Sequence, residues 1–162
     1  MDYEKIETLL NEVKPIVEEN KKIRAEKERK GEFFNIFSIL RMERDEVHTH
    51  SAMLSELLSP NGSHGQGGAF LKLFLKMVVH KEDLVADTAE VETEFSIGAV
   101  SEDGKSGGRI DIVVRFPNYL ILIENKIDAG DQPSQLERYN NYALEKVGKG
   151  NYTLLYLTKN GL

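Results

Sequence analysis

Arg109-Ile110-Asp111-Ile112-Val113-Val114-Arg115-Phe116-Pro117-Asn118-Tyr119-Leu120-Ile121-Leu122-Ile123-Glu124-Asn125-Lys126 reads as two β-strands joined by a tight turn. Ile, Val, Leu and Phe fill the stretch, and Pro117-Asn118 supplies its only turn chemistry. The strand period of 2 puts Ile110, Ile112, Val114 and Phe116 on one face, and Arg109, Asp111, Val113 and Arg115 on the other. In the second strand Leu120, Leu122, Glu124 and Lys126 share a face. With Pro117-Asn118 as the loop, Phe116 pairs with Tyr119, Val113 faces Leu122 and Asp111 faces Glu124. A four-residue loop leaves this register unchanged, and Pro suits its type I turn better than the primed two-residue turns.

Opposed residues on paired strands point to the same side, with Cβ atoms about 4.5–5.5 Å apart. Two carboxylates are therefore expected to meet on one face of an apolar hairpin, with Lys126 two residues beyond Glu124 on that face. Like charges in opposition destabilise a sheet, and burial raises the pKa of at least one of them. A bound divalent cation reverses the sign of the interaction. Magnesium asks for one or two carboxylates, with water and phosphate oxygens completing its shell. The plainer reading is a hairpin with solvated polar residues at one end, where Lys126 neutralises Glu124. Against it stands the unbroken run Leu120-Ile121-Leu122-Ile123, which looks buried on both faces and gives a charge at its end no cheap place.

Outward from the hairpin, Met1 to about Lys30 reads as helix, with Ile6, Leu9, Leu10, Val13 and Val17 at helical spacing and Pro15 expected to bend it. Asn20 to Lys30 is dense in charge and reads as a solvated face; a basic arm on a DNA backbone is the alternative. Phe33 to Leu40 reads as a short docking turn or helix. Asp45 to Leu58 reads as an amphipathic helix with Val47, Ser51, Leu54, Leu57 and Leu58 inward. Glu46 and His50 are four residues apart and share a face, as a ligand pair or as a surface ion pair or cap; His48 reads as surface. Ser59 to Gly68 is a glycine-rich loop whose N–H groups could approach a phosphate, although no Walker pattern is present. His64 and Gln66 are expected to fix that loop by hydrogen bonds. Ala69 to Val79 reads as a helix burying Phe70, Phe74, Met77 and Val78.

Val91 to Ile97 alternates as a strand, with Val91, Thr93, Phe95 and Ile97 inward and Glu94 beside Glu92 on the other face, a further candidate for the carboxylate site. Gly98 to Gly108 is a polar loop expected to be mobile. After the hairpin, Asp131 suits a helix N-cap and Pro133 the first turn of a helix running to about Val147, ended by Gly148 and Gly150. Tyr152 to Thr158 is a further strand, and strand–helix–strand implies a parallel crossover.

The 162 residues make one domain with a real core. There is no cysteine, which excludes disulfides and thiolate zinc sites. No apolar run approaches a membrane span and the Glu-rich start does not read as a signal peptide, so a cytoplasmic protein is expected. A net charge of −6 argues against a general nucleic-acid binder, but not against a nuclease whose carboxylates a metal covers.

Asp111, then Glu124-Asn125-Lys126, then Gln135 and Tyr139 resemble the signature of the PD-(D/E)XK nuclease superfamily. More narrowly, Ile123-Glu124-Asn125-Lys126 with the helix Gln135-Leu136-Glu137-Arg138-Tyr139 is similar to a bacterial family with IENK and QL-x-x-Y motifs. The block Glu46-Val47-His48-Thr49-His50-Ser51, followed by Leu57 to Gly67, is similar to that family's other hallmark. The likeness covers roughly Phe34 to Tyr142; one departure is that Ile110, not proline, precedes Asp111.

The resemblance implies an α/β fold of restriction-endonuclease-like type, a mixed β-sheet of about four strands flanked by helices, in the order helix, three antiparallel strands, helix, strand. It implies an N-terminal helical segment over 1–30 and a nuclease-like core over 31–162. Members of such a family usually continue past the point corresponding to Leu162, so the resemblance leaves open a core truncated at its C-terminus. The implied activity is metal-dependent hydrolysis of phosphodiester bonds in DNA, with RNA left open as substrate and a homo-oligomer left open as assembly. The implied cofactor is Mg2+, with Mn2+ as substitute. Asp111, Glu124, the Asn125 carbonyl and Glu46 would hold it; Lys126 would act on the attacking water, with Gln135 and Tyr139 supporting it. The rival is a catalytically inactive module that keeps the fold and binds nucleic acid or protein.

Overall fold

The computed structural model describes residues 3–127, 130 and 132–159, and only the backbone of Tyr3, Glu4, Ser38 and Glu46. The chain forms two compact units, Met1–Met42 and Glu43–Leu162. In the first, α1 (Tyr3–Arg29) carries Pro15 within it, and the single turn α2 (Ile36–Ile39) follows. Asn35 starts α2, its Oδ1 accepting from the Phe37 N–H at 2.9 Å.

The second unit opens with a π-helical turn, Glu46–Ser51, that runs into α3 (Ala52–Leu58). The whole span was expected to be α-helical. Asp45 caps it, Oδ1 accepting from the His48 N–H at 2.8 Å, and the His50 N–H reaches back five residues to the Asp45 carbonyl. α4 (Ala69–Phe74) likewise ends in a π turn, Leu75–Val79.

Four strands make one mixed sheet in the order β1 (Glu90–Ser96), β2 (Arg109–Phe116), β3 (Tyr119–Lys126), β4 (Tyr152–Thr158). β1 with β2 and β2 with β3 are antiparallel, β3 with β4 parallel, and α5 (Gln135–Val147) makes the crossover. The hairpin register is the expected one: Phe116 pairs with Tyr119 and Val113 with Leu122, around the turn Pro117-Asn118. β3 is central and buried from Tyr119 to Asn125, because α3 and α4 cover one face and α5 the other. Leu58, Leu71 and Leu75 pack on Ile112, Val114, Ile121 and Ile123; Tyr139 and Ala143 pack on Ile110, Val113, Leu120 and Leu122. Each such aliphatic side chain contributes roughly 1.5–3 kcal/mol on full burial. Among the described residues no helix is long and apolar enough to cross a membrane.

Three expectations are corrected. α4 and the π turn that ends it bury Leu71 and Leu75, with Phe74 half-buried, while Phe70, Met77 and Val78 are exposed. Lys72 and Lys76 mark one outer face of that segment, but apolar residues fill all the rest, so the pattern singles out no narrow inward stripe. β1 does not keep one inward face: Val91 packs with the α3–α4 side, whereas Phe95 and Ile97 pack with the α5 side. Between them Glu94 has φ 54°, a left-handed conformation that breaks the alternation. Across the ladder, Ile110 correspondingly joins the α5 side and Ile112 the other. Finally, α5 starts at Gln135, with Pro133 in the turn before it, because Ser134 at the N-cap position has φ 55°. Asp131, the expected cap, lies outside the described residues.

Candidate active site

The end of β3 carries the polar residues that the apolar hairpin cannot absorb. Glu124 is the only one of them with no solvent exposure at all, 0%, on the face that α5 covers. Its Oε1 accepts from Lys126 Nζ at 2.6 Å and from Gln135 Nε2 at 2.8 Å. Its Oε2 is buried and has no hydrogen-bond partner among the described residues. Burial above all pushes this carboxyl above the ordinary glutamate range; the bond from Lys126 opposes the shift, and the negative charge of Asp111 adds to it.

Asp111 enters from β2, one residue beyond the last paired rung, Ile112 with Ile123. Its Oδ2 accepts from the Asn125 backbone N–H at 2.7 Å, a charge-assisted bond that ties the two strand ends together. The Asn125 side chain points to the opposite face from Glu124, as strand alternation requires, and its Nδ2 lies 3.3 Å from Oγ of the buried Ser51. The π-helical turn that ends at Ser51 is thereby docked on the end of β3.

From α5, Gln135 and Tyr139 come one turn apart on the inward face. Gln135 Nε2 lies 2.9 Å from the Tyr139 hydroxyl, which donates to the Arg109 carbonyl on β2. One amide thus spans from the helix hydroxyl to the strand carboxylate. Burial pushes the Tyr139 phenol up, so it stays a neutral donor.

The structure joins Lys126, Glu124, Gln135 and Tyr139 in one hydrogen-bonded set, and Asp111 is bonded to the N–H of Asn125, the residue that follows Glu124 on β3. The side chain of Glu46 is outside the described part, although its backbone opens the turn that carries Ser51. Glu94 stands across from Asp111, between the pairs Thr93–Ile112 and Phe95–Ile110, and spends its Oε2 on Arg109 Nε at 2.6 Å. His48 lies on the surface beside Asp45, and His50 Nε2 lies 2.9 Å from the Glu43 carbonyl. His64 fixes its loop, Nε2 to the Ser59 carbonyl at 3.0 Å and Nδ1 from the Gln66 N–H at 3.0 Å, so the proton sits on Nε2. The glycine-rich loop offers no free N–H at Gly68, because Asp87 Oδ1 takes it at 2.9 Å.

Two residues of the surroundings were not singled out from sequence for this role. Ser51 was read as inward but not as a partner of Asn125. Arg138, three residues from Gln135 on the same helix face, is buried and donates to the Gly107 carbonyl at 3.0 Å and the Pro133 carbonyl at 2.6 Å. It pins the loop expected to be mobile, with help from Asn141 Nδ2 on the Lys105 carbonyl at 2.9 Å. Gly107 has φ 81°, and a Cβ there would meet the Ala99 carbonyl oxygen at 1.9 Å, so only glycine fits.

Among the described residues no group of three or more His, Cys, Asp and Glu side chains is placed to hold a metal ion. The donor set that is present, two neighbouring carboxylates with one buried oxygen left over, nonetheless fits a hard divalent cation that keeps several water ligands. It does not fit a soft metal, which would want cysteine or several histidines.

No curated protein and no solved structure matches the chain. A family model described as the PD-(D/E)XK nuclease superfamily matches residues 34–161. The four-stranded mixed sheet flanked by helices has that superfamily's restriction-endonuclease-like arrangement, and the chain belongs to the PD-(D/E)XK nuclease superfamily.

Proposed function

We propose that the protein is a divalent-metal-dependent nuclease that hydrolyses phosphodiester bonds in DNA. The observation that carries this reading is the buried Oε2 of Glu124, an ionisable oxygen with no donor among the described residues and the charge of Asp111 beside it. Leaving such an oxygen unsatisfied costs several kcal/mol or forces protonation, and a cation removes both penalties.

Asp111, Glu124 and the Asn125 carbonyl are the residues assigned to hold Mg2+ or Mn2+. The N–H and C=O of one strand residue point toward the same neighbouring strand, which puts the Asn125 carbonyl on the side where Asp111 accepts its N–H. Glu46 is assigned as the further acidic contributor. When bound, the cation supplies a Lewis acid to the phosphate and makes water easier to deprotonate. Lys126 holds the attacking water or takes its proton, and its Nζ is aimed by the bond to Glu124. Gln135 fixes the Glu124 rotamer, and Tyr139 fixes Gln135 and the end of β2. A cytoplasmic setting goes with this reading.

A non-cleaving nucleic-acid or protein-binding module is favoured by one observation: Lys126 already neutralises Glu124 at 2.6 Å. Cleavage of plasmid, single-stranded DNA and RNA with Mg2+ or Mn2+, by wild type and Asp111→Asn, separates the two. Metal-dependent cutting of DNA that Asp111→Asn lacks is expected. Binding without cutting of any of the three substrates selects the module, and cutting of RNA alone corrects the substrate.

A further inference from the structure

α1 carries a second pattern, independent of the nuclease site. Every large aliphatic side chain on it lies in one stripe: Ile6, Val13, then Leu9, Ile16 and Ile23, flanked by Leu10 and Val17. All seven are exposed in the structure. With Ile6 at position a of a heptad, Val13, Asn20 and Lys27 are the following a residues, and Leu9, Ile16 and Ile23 are the d residues. Positions b, c and f hold Glu7, Lys14, Lys21, Thr8, Pro15, Lys22, Asn11 and Glu18, all suited to water, and the small Ala25.

We propose that α1 forms a parallel two-stranded coiled coil with α1 of a second copy of this chain. Two features choose a single second copy over a larger bundle, which the β-branched Ile6 and Val13 at a with Ile16 and Ile23 at d would by themselves favour. Asn20 interrupts the stripe at an a position, where a lone Asn facing its copy sets two-chain register at a cost in stability. Glu19 is a g residue and Arg24 the e residue five positions on, so each chain's Glu19 meets its partner's Arg24 in a parallel pair, and opposite charges face each other twice.

Pro15 is compatible with this seam. It sits at c, and the carbonyl it crowds, that of Asn11, sits at f, so both the missing hydrogen bond and the steric opening fall on the solvent side. Helices that wrap a partner curve with their solvent side convex, the sense in which Pro15 bends the chain. From Ile6 to Ile23 the seam is about 26 Å long at about 1.5 Å per residue. That is short for a coiled coil, and Leu10 and Val17 at e widen it.

The test uses the intact chain. Analytical ultracentrifugation of wild type is expected to give a dimer at micromolar concentration, and Ile16→Glu to raise its dissociation constant by about 100-fold or more, since a carboxylate then enters the seam twice. The chain has no cysteine, so single substitutions report register cleanly. Under mild oxidation Asn20→Cys should cross-link chains, and Glu18→Cys, on the outer face, should not. A monomeric wild type overturns the proposal. So do a trimer or tetramer, an unaltered dimer in Ile16→Glu, and equal cross-linking through Asn20→Cys and Glu18→Cys. Far-ultraviolet circular dichroism of the Ile16→Glu variant separates loss of the seam from loss of the fold.

Discussion

Lys126 Nζ lies 2.6 Å from Oε1 of Glu124, a carboxylate with 0% solvent exposure, while the other oxygen of that carboxylate has no partner among the described residues. One half of Glu124 is over-provided, by a lysine and a glutamine, and the other half is bare. A purely structural ion pair gains from sharing its donors over both oxygens. The division seen here makes Glu124 sensitive to pH, to metal and to the chemistry of residue 126, and each sensitivity can be measured.

The first expectation is for the metal-free protein, in chelator. Burial raises the Glu124 pKa above its unfolded value, so the folded state binds the proton more tightly than the unfolded chain. Stability from this group is therefore fully present below the ordinary glutamate range and is lost as pH rises through the raised folded value. The melting temperature of wild type should fall over that window, and Glu124→Gln should flatten the fall. A melting curve against pH that is the same for both proteins would sink this assignment.

Added Mg2+ or Mn2+ should reverse that loss. Binding at a hundredfold excess over the dissociation constant contributes about 2.7 kcal/mol, which for a chain of this size is roughly 5–10 °C in melting temperature. Asp111→Asn should abolish the response. In chelator the same variant should melt at or above wild type, because it removes the charge that opposes Glu124 while an amide oxygen can still accept the Asn125 N–H. Differential scanning fluorimetry with and without metal reads both effects.

Lys126→Arg keeps a cation beside Glu124, so its melting temperature should stay within about 2 °C of wild type, less than the shift that about 1 kcal/mol gives a chain of this size. Cleavage should drop by about 10²–10⁴-fold, since a guanidinium neither gives up its proton nor keeps its charge at the same point. Single-turnover cleavage rates decide it. A variant that cuts as fast as wild type makes Lys126 structural even in a working nuclease.

Tyr139→Phe removes one hydroxyl that donates to the Arg109 carbonyl and accepts from Gln135. Leaving a buried acceptor unsatisfied costs about 1–3 kcal/mol. Chemical denaturation should show that loss with an unchanged denaturant slope, because the ring still fills its site against Ile110 and Leu122. An unchanged midpoint would mean that water replaces the hydroxyl and that the network is looser than its geometry.

The sequence by itself determined the hairpin: its strands, its turn, the register that pairs Phe116 with Tyr119 and Val113 with Leu122, and the strand Tyr152–Thr158 that completes the sheet. Those features follow from alternation and turn chemistry, which are local and act over a few residues. The face of Glu124 and Lys126 was legible for the same reason, and so was the shared face of Gln135 and Tyr139. Tertiary structure alone decided the rest. From Ala69 to Val79 only Lys72 and Lys76 are polar, so packing against Ile112, Ile121 and their neighbours chose Leu71 and Leu75 over Phe70 and Met77. The left-handed turn at Glu94 moved Phe95 and Ile97 to the α5 side, a break that glutamate does not announce. Ser51 and Arg138 found partners 74 and 31 residues away, Asn125 and Gly107. Side-chain bonds of that span depend on where two elements dock, and no periodicity within either element records it.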